Sequence, residues 1–89
     1  MLKYKMPEYT LYTFPNCQKC SEVKEILSQM GIRYHEINAG LDEGRKIFRE
    51  FFEKNKESIE RDSRGQITLP IFINGSRVIQ GLDKIIDNL

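Results

Sequence analysis

Tyr9-Thr10-Leu11-Tyr12-Thr13-Phe14-Pro15-Asn16-Cys17-Gln18-Lys19-Cys20 is the stretch whose reading decides the fold. Its first five residues are β-branched, aromatic or aliphatic, the composition of a short strand. Phe14-Pro15-Asn16 breaks that strand and forms a loop. From Ser21 the apolar residues Val23, Ile26, Leu27 and Met30 follow helical spacing, and Gly31 is the expected stop. The chain's two cysteines therefore sit together where a strand gives way to a helix. Two thiols at this spacing can close a small disulfide reversibly, and such a pair carries electrons.

Working outward, Ile32 to Asn38 reads as a second strand. A strand, a helix and a second strand in so short a span predict a parallel βαβ unit. Ala39-Gly40 interrupts, and Asp42 can cap a second helix whose stripe is Ile47, Phe48, Phe51 and Phe52, predicted to run to about Ile59. Asp62-Ser63-Arg64-Gly65 is a turn. Ile71-Phe72-Ile73 and Arg77-Val78-Ile79 flank Asn74-Gly75-Ser76, a strong hairpin signal. Gly81 ends the hairpin, and Leu82 to Leu89 fits a last helix with Leu82, Ile85, Ile86 and Leu89 inward. The expected fold class is α/β, in the order β-α-β-α-β-β-α, with a central four-stranded mixed sheet flanked by helices. A Cys-x-x-Cys in that context reads as a thioredoxin-like redox site.

The 89 residues are read as a single domain, 1–89, with an adequate but not generous core. The net charge of +1 gives no electrostatic case for a nucleic-acid partner, and the charged residues, 30% of the chain, are mixed in sign as on a solvated surface. No stretch approaches the roughly 18 apolar residues of a membrane span. Met1 to Tyr9 lacks the apolar run of a signal peptide. We expect a cytoplasmic monomer without a membrane partner. In a reducing cytosol paired cysteines bind metal or do redox work. Half of a four-cysteine zinc set is missing, and His35 is the one histidine.

Cys17 should lie at the first turn of the helix, where unpaired N–H groups and the helix dipole favour negative charge. In such settings a thiol falls from about 8.5 to roughly 3.5–7. Lys19 and Lys24 add positive charge nearby. Cys20, deeper along the helix, is the expected resolving thiol: Cys17 attacks a disulfide, and Cys20 then displaces the product. Pro70 follows Thr68-Leu69 and opens a strand, a tolerated place for proline on steric grounds alone. Beside a Cys-x-x-Cys, a cis Leu69–Pro70 bond would present the Leu69 backbone to an extended thiol substrate.

These marks, Cys17-Gln18-Lys19-Cys20, Thr68-Leu69-Pro70 and Gly81-Leu82-Asp83, resemble those of glutaredoxins and glutaredoxin-like members of the thioredoxin superfamily, over essentially the whole length. The resemblance implies Cys17 as nucleophile, Cys20 as resolving cysteine and Pro70 as a cis-proline. It implies that the Leu69 backbone, with Thr68 beside it, bonds the cysteinyl part of glutathione, and that Gly81, Leu82 and Asp83 take the γ-glutamyl end. The chain departs from the family at Gln18-Lys19, where Pro-Tyr is typical, at Phe14, where a lysine often helps hold the glutathione carboxylate, and at Gln80, which replaces the first glycine of a Gly-Gly pair. Lys19 is the candidate to supply the missing charge. The segment Asp42 to Gln66 also looks longer than in the smallest members.

The reading is a small thiol–disulfide oxidoreductase acting on protein disulfides or glutathione mixed disulfides. Electrons would come from glutathione or from a flavin-dependent disulfide reductase, with no tightly bound cofactor and no metal. A dedicated electron donor to one enzyme, such as a ribonucleotide reductase, is an alternative within the fold. Arsenate reductase-like proteins share the early cysteine but carry arginine motifs with no counterpart here. The alternative from another class is a metal or iron–sulfur module in which two copies share a cluster through Cys17. His35 reads as a surface or packing residue and Phe48, Phe51 and Phe52 as core. Tyr12 and Phe14 are candidates for either the groove or packing.

Overall fold

The computed structural model describes residues 9–89. Segment 1–8, read above as lacking a leader, lies outside the described residues. The elements are β1 (Tyr9–Thr13), α1 (Gln18–Gln29), β2 (His35–Asn38), α2 (Asp42–Asn55), β3 (Ile71–Asn74), β4 (Arg77–Gln80) and α3 (Leu82–Asp87), the expected order. They build one mixed sheet in the spatial order β2-β1-β3-β4. β1 runs parallel to β2 and antiparallel to β3, and β3 pairs antiparallel with β4.

Period-two alternation splits the core into two layers. Leu11, Phe72 and Ile79 stand in register across three strands and face α1 and α3, meeting Val23, Leu27 and Ile85. Tyr12, Ile37 and Ile71, each one residue along from that set, face the other way and meet Ile59 and the Phe48, Phe51 and Phe52 stripe of α2. The phenylalanines are half-buried and pack against this layer, as expected, whereas Ile47 of the same stripe is exposed; Tyr12 is buried, stacked on Phe51 with ring centroids 4.7 Å apart. Phe14 packs edge-on to Phe48 at 5.2 Å, so it too is a packing residue.

Five boundaries differ from expectation. α3 ends at Asp87 with Asn88 as its C-cap, not at Leu89, and Ile86 and Leu89, expected inward, are exposed. The other four differ for local reasons. β2 starts at His35 because Ile32 closes α1 instead: Gly31, at φ 69°, donates to Ser28 O, and Ile32 donates to Leu27 O at 2.9 Å. That pair of bonds is a Schellman ending, which needs the left-handed conformation glycine adopts freely. Leu41 is the N-cap of α2 and has no side-chain cap bond, so Asp42 is the first helical residue. Its charge, with that of Glu43, still opposes the positive end of the dipole. α2 ends at Asn55, whose carbonyl takes the N–H groups of both Ser58 and Ile59. The chain tightens there and turns Ile59, 7% exposed, into the α2 layer. In the hairpin Asn74 pairs with Arg77, leaving Gly75-Ser76 as the turn. Positive φ at Gly75 alone is the II′ arrangement, distinct from the Asn-Gly I′ turn.

Two close approaches pin the start of α2, one against the loop ahead of the cysteines and one against the end of β2. A side chain at Gly40 would meet Pro15, and one at Gly44 would run into the Asn38 backbone.

Candidate functional site

The β1–α1 turn places the cysteines. Asn16, at φ 58°, adopts the left-handed conformation that asparagine tolerates better than most residues, and the chain enters α1 at once. Cys17 is the N-cap, and its Sγ accepts a hydrogen bond from the Cys20 N–H at 3.1 Å. The Cys17 carbonyl also accepts from the Ser21 N–H. Cys17 is half-buried and Cys20 is 2% exposed, one helical turn deeper. The two are joined as a disulfide with Cα atoms 5.3 Å apart.

Two clefts flank this turn. The first, about 540 Å³, is lined by Cys17 and Cys20 with Thr13, Ser21, Lys24 and Glu36. Among the described residues Glu36 is its only carboxylate, and it accepts from Thr13 Oγ1 at 2.7 Å and from Lys24 Nζ at 3.3 Å. Lys24, expected to add positive charge near the thiols, lines their cleft and is paired there with Glu36. Burial pushes the Tyr34 phenol up, and the Glu36 charge adds to this while Lys24 opposes it. Burial alone raises Tyr12.

The second cleft, about 220 Å³, brings Lys19 of α1 against Gly81, Leu82 and Asp83 at the start of α3. Lys19 and Asp83 are exposed there with opposite charge. Gly81, at φ 94°, is the N-cap of α3 and donates to Pro70 O at 3.0 Å. The Thr68 methyl lies 3.5 Å from where a Gly81 Cβ would stand. Thr68 and Pro70 thus adjoin the second cleft through Gly81. The Leu69–Pro70 peptide is cis, as the resemblance implied. Leu69 lines neither cleft. Its side chain packs into the α2 layer, while its backbone N–H and C=O have no partner among the described residues.

Glu36 and Gln80 were not singled out as site residues from sequence. Glu36 was hidden because strand alternation alone does not say which face meets α1. Gln80 was noted only as a missing glycine, yet it is 4% exposed and makes three hydrogen bonds to backbone groups. His35 is exposed, as read from sequence. Among the described residues no three His, Cys, Asp or Glu side chains group as a metal site, and no helix is long and apolar enough to cross a membrane.

The glutaredoxin family profile matches residues 9–78, a span holding Cys17, Cys20 and Thr68 to Pro70 but not Gly81 to Asp83. Solved structures agree. The chain is similar to glutaredoxin from Brucella melitensis (28% identity, 92% of this chain and 77% of that one, TM-score 0.60). It is also similar in fold to glutaredoxin 1 from Francisella tularensis (19% identity, 90% and 88%, TM-score 0.63). A buckwheat glutaredoxin solved with glutathione shares the fold as well (24% identity, 91% and 66%, TM-score 0.64). No curated protein sequence matches the chain.

Proposed function

The chain belongs to the glutaredoxin family, and from that premise we propose that it reduces protein disulfides and glutathione mixed disulfides through Cys17 and Cys20. The observation that carries this reading is the N-cap: the outer sulfur accepts the Cys20 N–H at the positive end of α1. An anionic sulfur is the stronger acceptor for that N–H, so the site favours thiolate over thiol.

In the dithiol form the Cys17 thiolate attacks one sulfur of a substrate disulfide. A mixed disulfide forms, and the other substrate sulfur leaves as a thiolate that takes a proton from solvent. Cys20, after losing its proton, attacks Cys17 Sγ, closes the intramolecular disulfide and releases the second substrate thiol. Two electrons pass to the substrate, and the chain is left oxidised. Two glutathione thiols, or a disulfide reductase, return them. Lys19 and Asp83 in the second cleft suit the carboxylate and ammonium of a γ-glutamyl group, and Leu69 offers an unpaired peptide to the cysteinyl part. That a buckwheat glutaredoxin of the same fold is solved with glutathione supports glutathione as the ligand.

The test is reduction of a glutathionylated peptide by the wild type and two variants. Cys17→Ser should abolish turnover. Cys20→Ser should accumulate a covalent adduct at Cys17, read by mass. Full activity in Cys17→Ser would remove Cys17 as the nucleophile.

A further inference from the structure

Gln80 closes β4 with its side chain turned into the protein, 4% exposed. Its carboxamide makes three hydrogen bonds across one gap. Oε1 accepts from the Glu60 N–H at 2.7 Å, and Nε2 donates to Glu60 O at 3.1 Å and to Thr68 O at 3.0 Å. Thr68 N–H donates to the same Glu60 carbonyl at 3.1 Å. Both backbone groups of Thr68 and both of Glu60 are therefore satisfied inside the protein. Pro70 O is taken by the Gly81 N–H. In the Thr68-Leu69-Pro70 run this leaves the Leu69 peptide alone with a donor and an acceptor that have no partner among the described residues.

We infer that Gln80 is a positioning residue that selects which peptide of this run meets the substrate. It also makes the site selective for disulfides whose sulfur is carried on a peptide backbone. The inference rests on the reading of Leu69 as the substrate-facing peptide and of Cys17 as the nucleophile. The physical case is one of competition. A loop peptide can pair with a substrate strand only if its neighbours cannot offer theirs, and if its own groups are held outward. The Glu60–Thr68 segment has its own internal ties: the Thr68–Glu60 and Asp62–Gln66 backbone bonds, the Arg61–Ile67 bridge and the Asp62 side chain on the Arg64 and Gln66 N–H groups. Ile67 packs toward α2, Arg61 lies over Phe52 and Glu60 pairs with Lys84, but only Gln80 holds Thr68 O among the described residues. Without the carboxamide, Thr68 O is released and competes with Leu69 O as the acceptor a substrate meets, while the Thr68 N–H stays on Glu60 O. A side chain from the end of a strand thereby sets the geometry of a loop a dozen residues earlier.

Gln80→Glu keeps the shape and turns two donated bonds into repulsions with Glu60 O and Thr68 O. Gln80→Met keeps the volume and removes all polarity. The experiment takes both variants as full chains and fully reduced, with folding checked by circular dichroism. It measures second-order rate constants for two oxidants: an end-capped peptide carrying a cysteine disulfide, and a non-peptide disulfide such as bis(2-hydroxyethyl) disulfide. Neither carries a γ-glutamyl group, so the second cleft does not enter. The wild type should prefer the peptide disulfide, and the ratio of the two constants should fall about tenfold in the variants, as for a lost set of positioning hydrogen bonds. A ratio unchanged in a folded variant, or both constants falling together, would make Gln80 a structural strut and overturn the inference. A wild type with no preference would overturn it as well. A wild type that reacts with neither disulfide would instead sink the reading of Cys17.

Discussion

Gly44→Ala sets two effects of opposite sign against each other, and their magnitudes decide the outcome. Gly44 is in the first turn of α2, where alanine gains as much as about 1 kcal/mol of helix propensity over glycine. Against this, the added Cβ would lie 2.7 Å from the Asn38 carbonyl carbon and press still harder on the Asn38 oxygen. The obstruction is backbone, and it has little room to yield. Asn38 ends β2, its carbonyl holds the Leu41 N–H, and its side chain holds the Gly40 N–H at 2.8 Å. Moving α2 away instead would open the layer of Phe48, Phe51 and Phe52. Overpacking of this kind costs about 1–3 kcal/mol and more when backbone must shift. The expected net is a loss of roughly 1–2 kcal/mol. With a urea slope of about 1 kcal/mol per molar for a chain this small, the midpoint should fall by roughly 1–2 M. The assay is urea denaturation followed by far-ultraviolet circular dichroism, on the oxidised form of both proteins. A midpoint equal to or above wild type would refute the reasoning, since propensity would then have won and the close approach would carry no cost. Gly65→Ala tests a different penalty: nothing lies near its Cβ, and only its positive φ opposes the change.

Other outcomes follow from the same geometry. Leu27→Ala, at a fully buried position between α1 and the sheet, should lose about 2–5 kcal/mol in the same titration, whereas the exposed Met30→Ala should change little. Lys84→Met breaks an exposed pair with Glu60 at 3.1 Å and should leave stability within about 1 kcal/mol, because surface ion pairs contribute little; a larger loss would mean the pair holds the loop that Gln80 anchors. Burial raises the Tyr12 phenol above its ordinary 10.0, so the folded state prefers the neutral form. Its contribution is complete below pH 10 and is lost as pH climbs through the raised value. Urea midpoints between pH 8 and 11 should therefore fall less steeply for Tyr12→Phe than for wild type, and parallel curves would remove Tyr12 from the alkaline transition.

Much of this architecture was legible because local and tertiary preferences agree. The β1–loop–α1 passage, the cysteine pair and the hairpin each carry their own signal, and the alternation of Leu11 with Tyr12 and of Ile71 with Phe72 already separates the two core layers. The errors fall where a residue is claimed by something outside its own element. Ile32 looks like strand but serves the end of α1. Ile59 looks like helix but is drawn to the sheet. Asn74 looks like turn but pairs in β3. In the site, Lys19 and Asp83 were legible as charges, but their shared cleft depends on how α3 leaves the sheet. Gln80 was opaque for the same reason. One polar residue at a strand end says nothing of the three backbone groups it will meet.

The N-cap position of Cys17 has a thermodynamic corollary. The first hydrogen bond of α1 is accepted by the reacting sulfur itself. A thiolate binds the Cys20 N–H more strongly than a disulfide sulfur does. Helix integrity and oxidation state are therefore linked functions. The reduced form, with Cys17 as thiolate, holds the start of α1 more firmly, and by reciprocity a firmly held α1 draws the equilibrium toward the reduced pair. Stabilised thiols make a stronger oxidant. Substitutions that fray or firm the far end of that helix, well away from either cysteine, should therefore register as shifts in the glutathione buffer at which the pair closes.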